Sequence, residues 1–74
     1  MKDEKKTKKQ LLDELAELRR QIGIGYYGLG QHEQAIEGYD EAVRLNPNFA
    51  DAYSSRGFAH RAAGRLQRAI SDFD

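Results

Sequence analysis

The sequence predicts an all-α protein, a short solenoid of antiparallel helix hairpins behind an N-terminal amphipathic helix. Three observations predict it. Leu11, Leu15, Leu18 and Ile22 recur at spacings of four, three and four, one apolar stripe along a helix. The 74 residues include one proline amid many Ala, Leu, Glu, Arg and Gln. The chain also matches itself when shifted by 34 residues, a period that accommodates two helices and their turns.

Residues 1–10 hold five lysines, Lys2, Lys5, Lys6, Lys8 and Lys9, against Asp3 and Glu4. No aromatic residue is interleaved for stacking on bases, so this run reads as a solvated terminus. Formal net charge is zero, and neither nucleic acid nor a membrane is expected as a partner. The first helix runs from Lys8 past Ile22, with Asp13, Glu14, Glu17, Arg19 and Arg20 on its remaining faces. Asp13 and Glu17 lie toward its start and Arg19 and Arg20 further along, an order that suits the helix macrodipole. Residues 1–15 are thus a basic tail and the start of this helix.

The stretch "GIGYYGLG" follows and satisfies G-x-G-x-x-G at Gly23, Gly25 and Gly28, with Glu41 near the place of a ribose-binding acid. A dinucleotide loop must follow a buried strand, whereas a charged amphipathic helix precedes Gly23. The glycines are therefore read as the second half of that helix and its cap. Gly23 permits a close helix crossing, Gly30 ends the helix, and Gly25 and Gly28 are merely small.

The self-match supports that division. A 34-residue shift places Ala16 on Ala50, Gly23 on Gly57, Gly30 on Gly64, Ala35 on Ala69, Ile36 on Ile70 and Asp40 on Asp74, six identities in 25 aligned positions. Tyr39 meets Phe73, and Gly25 and Gly28 meet Ala59 and Ala62. This spacing, with Ile22, Gly23, Tyr26, Ala35, Tyr39, Ala42 and Pro47 at the pattern positions, resembles the tetratricopeptide repeat family. The resemblance covers residues 16–74, a first unit at 16–49 and an incomplete second at 50–74. Arg19 replaces an early aromatic, Arg56 an aliphatic and His60 a tyrosine of the pattern. The second unit stops at Asp74 before its proline, so a truncated array or the start of a longer protein is expected.

The resemblance implies helix hairpins in which Gly23 and Gly57 meet a crossing helix, Ala35 and Ala69 face the contact, and Tyr39 and Phe73 fill the space between units. Gly30 and Gly64 become left-handed helix caps. Pro47 follows the second helix, and Asn48 with Asp51 has the form of a capping box for the third. The resemblance also implies a binding groove along the first helix of each unit. Glu17, Arg20, Ile24, Tyr27 and Gly28 would line it from the first unit, and Asp51, Ser54, Phe58, Arg61 and Ala62 from the second. Some family members hold a C-terminal carboxylate with lysine and asparagine there; this chain has no asparagine at those positions, and that specificity is not carried over.

No catalytic, cofactor or metal residues are assigned. His32 and His60 are 28 residues apart, and His60 is expected to pack in its tyrosine-like slot. Ser54 and Ser55 lack a base and a nucleophile turn. There is no cysteine, and no apolar run has the length of a signal or membrane-spanning segment, so a cytoplasmic setting is expected. The reading is a non-catalytic scaffold that docks a protein or peptide in the groove. The alternative is an oligomerising or signalling linker in which Leu11, Leu15, Leu18 and Ile22 self-associate as a homo-oligomer. Residues 7–22 resemble coiled-coil linkers of bacterial signalling proteins, which favours that alternative.

Overall fold

A computed structural model describes residues 5–73, except for the side chains of Leu66, Gln67 and Ala69. Among the described residues the chain forms four helices and no strand: α1 Lys8–Gly28, α2 His32–Leu45, α3 Ala50–Ala62 and α4 Leu66–Phe73. Each packs along the next, and α1 also touches α3.

α1 is one continuous helix of 21 residues, so the amphipathic start and "GIGYYG" are a single rod. Thr7 caps it. Its Oγ1 accepts from the Gln10 backbone N–H at 3.1 Å, while the Thr7 N–H donates to Gln10 Oε1 at 2.8 Å. This reciprocal pair satisfies two of the otherwise unpaired donors at the helix start. The macrodipole order expected from Asp13, Glu17, Arg19 and Arg20 is not realised. The first turn carries no acid and the last no base, because the helix extends well beyond both ends of that charged segment. Those residues pair sideways instead, Lys9 with Asp13 at 3.0 Å and Arg20 with Glu17 at 3.1 Å.

Gly30 adopts φ +78° and Gly64 φ +83°, a region that Cβ-bearing residues avoid. Around Gly30, its N–H donates to the Tyr27 carbonyl at 3.0 Å and the Gln31 N–H to the Tyr26 carbonyl at 3.0 Å. One period later the Gly64 N–H donates to Arg61 at 3.0 Å and the Arg65 N–H to His60 at 2.7 Å. The same double-bonded cap thus closes the first helix of both units. The capping box expected from Asn48 and Asp51 does not form. The Asn48 N–H donates to Asn46 Oδ1 at 3.2 Å, the helix starts only at Ala50, and Phe49 at its cap supplies no side-chain bond. Asp51 falls in the first turn of α3, where its charge meets the positive end of the helix dipole favourably.

The core is built of small residues that let helices touch. One cluster joins Ala35, Ile36 and Tyr39 of α2 to Ala59 of α3. A second joins Ala16, Ala42 and Ala52, with Val43, Leu45 and Phe49 packed against it. A Cβ on Gly23 would lie 2.6 Å from the Tyr39 ring, and one on Gly57 would lie 2.8 Å from the Phe73 ring. The two units therefore repeat the glycine–aromatic crossing. Gly38 completes the first one: its Cβ would lie 3.1 Å from the Gly23 backbone. Gly25 and Gly28 have open space around them. The contact expected of Ala69, and Asp74 itself, lie outside the described residues.

Candidate functional site

α1 and α3 touch, and three of the residues assigned to the groove, Ile24, Tyr27 and Phe58, meet there. Tyr27 is edge-on to His32 of α2, and Phe58 is edge-on to Phe73 of α4. Ile24 and Tyr27 from α1 and Ser55 and Phe58 from α3 line an apolar cleft of about 200 Å³, with the Tyr39 ring reaching it from α2. Ile24, Tyr27 and Phe58 remain 40, 37 and 46% exposed, an accessible apolar surface rather than a core. Tyr39 is buried, and desolvation raises its phenol pKa above the ordinary value.

Charged groups border the cleft. Arg20 Nε and Nη2 donate to Glu17 at 3.2 and 3.1 Å, and Gln21 donates to the same carboxylate at 2.6 Å. The hydrogen bond from Arg20, then that from Gln21, lowers the Glu17 pKa. The Arg20 guanidinium also lies 5.6 Å from the Phe49 ring centroid, so it bridges α1 to the start of α3 near Asp51. Arg61 lies 5.2 Å from the Phe58 ring centroid and makes no ion pair among the described residues. Gly28 and Ala62 are exposed small positions at the helix ends. Ser54 does not join this group. It lines a separate cleft with Ala50, Tyr53, Ser71, Asp72 and Phe73, because one residue of helix is about 100° of rotation. Ser55 takes its place.

A polar cleft of about 450 Å³ opens on another face, lined by Ile36, Asp40, Arg56, His60, Arg68, Ser71 and Asp72. Arg56 donates to Asp72 at 2.6 and 2.9 Å and to Asp40 at 2.7 Å. Those carboxylates raise its pKa further, the Asp72 hydrogen bond most. His60 is buried as its slot predicts, with Nε2 3.7 Å from Asp72 and Nδ1 without a partner. Burial lowers its pKa, opposed by the Asp72 charge. Arg56 with Asp40 and Asp72 joins three helices by an ionic cluster, beside which His60 Nδ1 stays unpaired. Sequence reasoning missed it, and only the arginine in an aliphatic slot signalled it.

Among the described residues no cluster of three or more His, Asp or Glu could hold a metal, and no helix is long and apolar enough to cross a membrane. Leu11, Leu15, Leu18 and Ile22, the residues read as a self-association stripe, are all exposed.

The fold defines the class first: a helical-repeat protein whose hairpins recur 34 residues apart. The family model for the TPR repeat matches residues 25–64, more than half of the chain, and the chain belongs to the tetratricopeptide repeat family. It is 31% identical over 78 residues to Hsp70-Hsp90 organizing protein 3 of Arabidopsis thaliana, covering 97% of this chain and 14% of that protein. It is 32% identical over 53 residues to tetratricopeptide repeat protein 14 of Mus musculus, covering 72% of this chain and 7% of that protein. A small glutamine-rich tetratricopeptide repeat-containing protein 2 of Mycosarcoma maydis is 38% identical over 45 residues, 61% of this chain and 13% of that protein. The chain therefore spans 7 to 14% of these curated relatives, and their breadth is that of a shared structural unit.

Proposed function

We propose that this chain is a non-catalytic docking module that binds a peptide or protein surface along the face shared by α1 and α3. The observation that carries this reading is the cleft lined by Ile24, Tyr27, Tyr39, Ser55 and Phe58, where three large apolar side chains converge from two helices yet stay exposed. Such a patch suits an apolar anchor on the partner. Arg61 beside Phe58 offers a guanidinium to an acidic group next to that anchor. Arg20 and Glu17 neutralise one another, which leaves Arg61 as the charge that orients the ligand. Asp51, at the far end of α3, sets an acidic limit to the groove. A relative whose name describes an organizer of Hsp70 and Hsp90 supports protein partners for the unit.

The experiment is selection of peptides against the full chain from a random displayed library, followed by calorimetry on variants. Tyr27→Ala and Phe58→Ala are each expected to weaken a selected peptide by roughly tenfold or more, about 1.4 kcal/mol. Leu15→Asp, on another face, leaves binding unchanged. Selected peptides that tolerate both cleft variants would overturn the reading.

A further inference from the structure

Beyond the cleft, α1 carries a longer apolar row than its stripe. Leu11, Leu15, Leu18, Ile22, Gly25 and Leu29 follow one another at spacings of four, three, four, three and four, the heptad rhythm of a two-helix seam. The large members are exposed, from 38% at Leu15 to 72% at Leu29. The same row one period later is covered: Ala52 packs with Ala42, Arg56 pairs with Asp40, and Ala59 lies against Ala35, Ile36 and Tyr39. In the second unit this side of the helix is therefore the side that receives another helix.

The occupant in the first unit must differ from α2. Ile22 stands where Arg56 stands one period later. A helix patterned like α2 would set the carboxylate of Asp40's counterpart over Ile22, with no guanidinium to meet it. A second copy of the row sets Ile22 on Ile22. We propose that this row is a self-association surface, on which α1 of a second copy lies parallel and in register.

Flanking charges select the direction. Glu14 and Arg19 border the row on opposite sides, five residues apart. In a parallel pair Glu14 of each copy meets Arg19 of the other, twice by symmetry. In the antiparallel pair that buries the whole row, Leu18 meets Ile22 and the two Arg19 side chains face each other. Within one copy Glu14 is bound to Lys6 and Arg19 to Glu41, both pairs being exposed and so weak enough to rearrange. The rest of the fold stays clear. Ala16 and Gly23, buried against the neighbouring helices, lie one residue on from Leu15 and Ile22, about 100° around the helix. Ile24 and Tyr27 lie further round, so the cleft remains open in the pair.

The row has one gap. Ile22, Gly25, Tyr26 and Leu29 line a shallow depression, and a Cβ on Gly25 would meet nothing within 4 Å. Sedimentation equilibrium of the full chain across micromolar concentrations tests the proposal. The expected result is a reversible dimer, tightened roughly tenfold or more by Gly25→Leu and lost in Leu15→Asp while helicity is retained. The chain has no native cysteine, so Lys8→Cys reports direction. Parallel copies crosslink through it under oxidation, whereas antiparallel copies hold the two thiols more than ~30 Å apart. A wild-type monomer, a Leu15→Asp dimer, or a Lys8→Cys dimer that does not crosslink would each overturn the proposal.

Discussion

Gly23→Ala and Gly25→Ala make the same chemical change two residues apart on α1, and the structure assigns them opposite signs. In a helix interior the replacement is intrinsically favourable by about 0.5–1 kcal/mol, because alanine loses less backbone entropy. At Gly25 nothing lies within 4 Å of the new Cβ, so that gain is expected in full. At Gly23 the new atom lands 2.6 and 2.8 Å from two carbons of the Tyr39 ring and 3.0 Å from the Ala35 carbonyl oxygen. Carbon pairs are comfortable at about 3.5–4.0 Å, so the ring must retreat by roughly 1 Å. Tyr39 is 2% exposed, so its ring can retreat only by moving out of its packing against Ala35, Ile36 and Ala59. The Gly38 Cα also presses on the same turn, since a Cβ there would stand 3.1 Å from the Gly23 backbone. Overpacking of this kind costs about 1–3 kcal/mol. Set against the propensity gain, the net loss at Gly23 is about 0–2.5 kcal/mol, and the two variants differ by the overpacking cost of about 1–3 kcal/mol. Thermal denaturation followed by circular dichroism measures both variants. At about 4–8 °C per kcal/mol for a domain of this size, their melting temperatures should differ by roughly 4 °C or more. A Gly23→Ala protein as stable as Gly25→Ala would refute the close-crossing argument.

Gly30→Ala should destabilise by about 1–2 kcal/mol, because φ +78° is costly for a residue with a Cβ; Gly28→Ala should stabilise, and since both positions have open space, thermal melts of the two isolate the backbone strain. Arg56→Leu should cost about 2–3 kcal/mol, since it leaves the largely buried Asp72 without its partner, and Arg56→Leu with Asp72→Ala should recover most of that loss in urea titrations. Stability should also fall on acidification. His60 has its pKa lowered by burial, so the unfolded chain binds its proton first. The contribution is intact above about pH 6.5 and is lost as pH falls through the lower folded value. His60→Gln should flatten the denaturation midpoint across that window, and an unchanged pH profile would mean that His60 is not the titrating group.

The helices and their glycine caps were legible because their signals are local. A left-handed cap calls for glycine, and Gly30 and Gly64 repeat it one period apart. Thr7-x-x-Gln10, which sets where α1 begins, is an equally local signal that sequence reasoning missed. The close crossings at Gly23 and Gly57 were legible, but Tyr39 and Phe73, expected between units, meet those glycines within their own hairpins. Side-chain partners across helices were not legible. Arg56 reaches Asp40 and Asp72, each 16 residues away in opposite directions, and nothing in the spacing says which acids it meets. Gly38 was hidden because its counterpart is Asp72, so comparing the units makes it look variable. Ser55 rather than Ser54 faces the cleft, a choice that turns on about 100° of helix rotation. Asn48 illustrates the reverse error, a cap pattern whose residue is already engaged at Asn46.

Beside the glycine–aromatic crossing that they share, the two units differ in chemistry. In the first, Ile22 and Gly38 occupy the places held by Arg56 and Asp72 in the second. The glycine lets two backbones meet, while the ionic pair and Asp40 tie α2, α3 and α4 together. Neither solution buries much apolar area. The fully covered core side chains are mainly alanines, with Ile36 and Tyr39, and at about 25 cal/mol per Å² such small groups contribute little each. The larger apolar side chains, Leu11, Leu18, Leu29 and Ile70 among them, stay more than half exposed. Ile70 is 55% exposed whereas Ile36, its counterpart inside the stack, is 7% exposed. The same residue type at the same place in the hairpin is thus core or surface according to whether another helix packs against it. Stability in a fold of this kind is the sum of contacts within hairpins and between them, and the apolar faces of α1 and α4 are where a further contact has most to add.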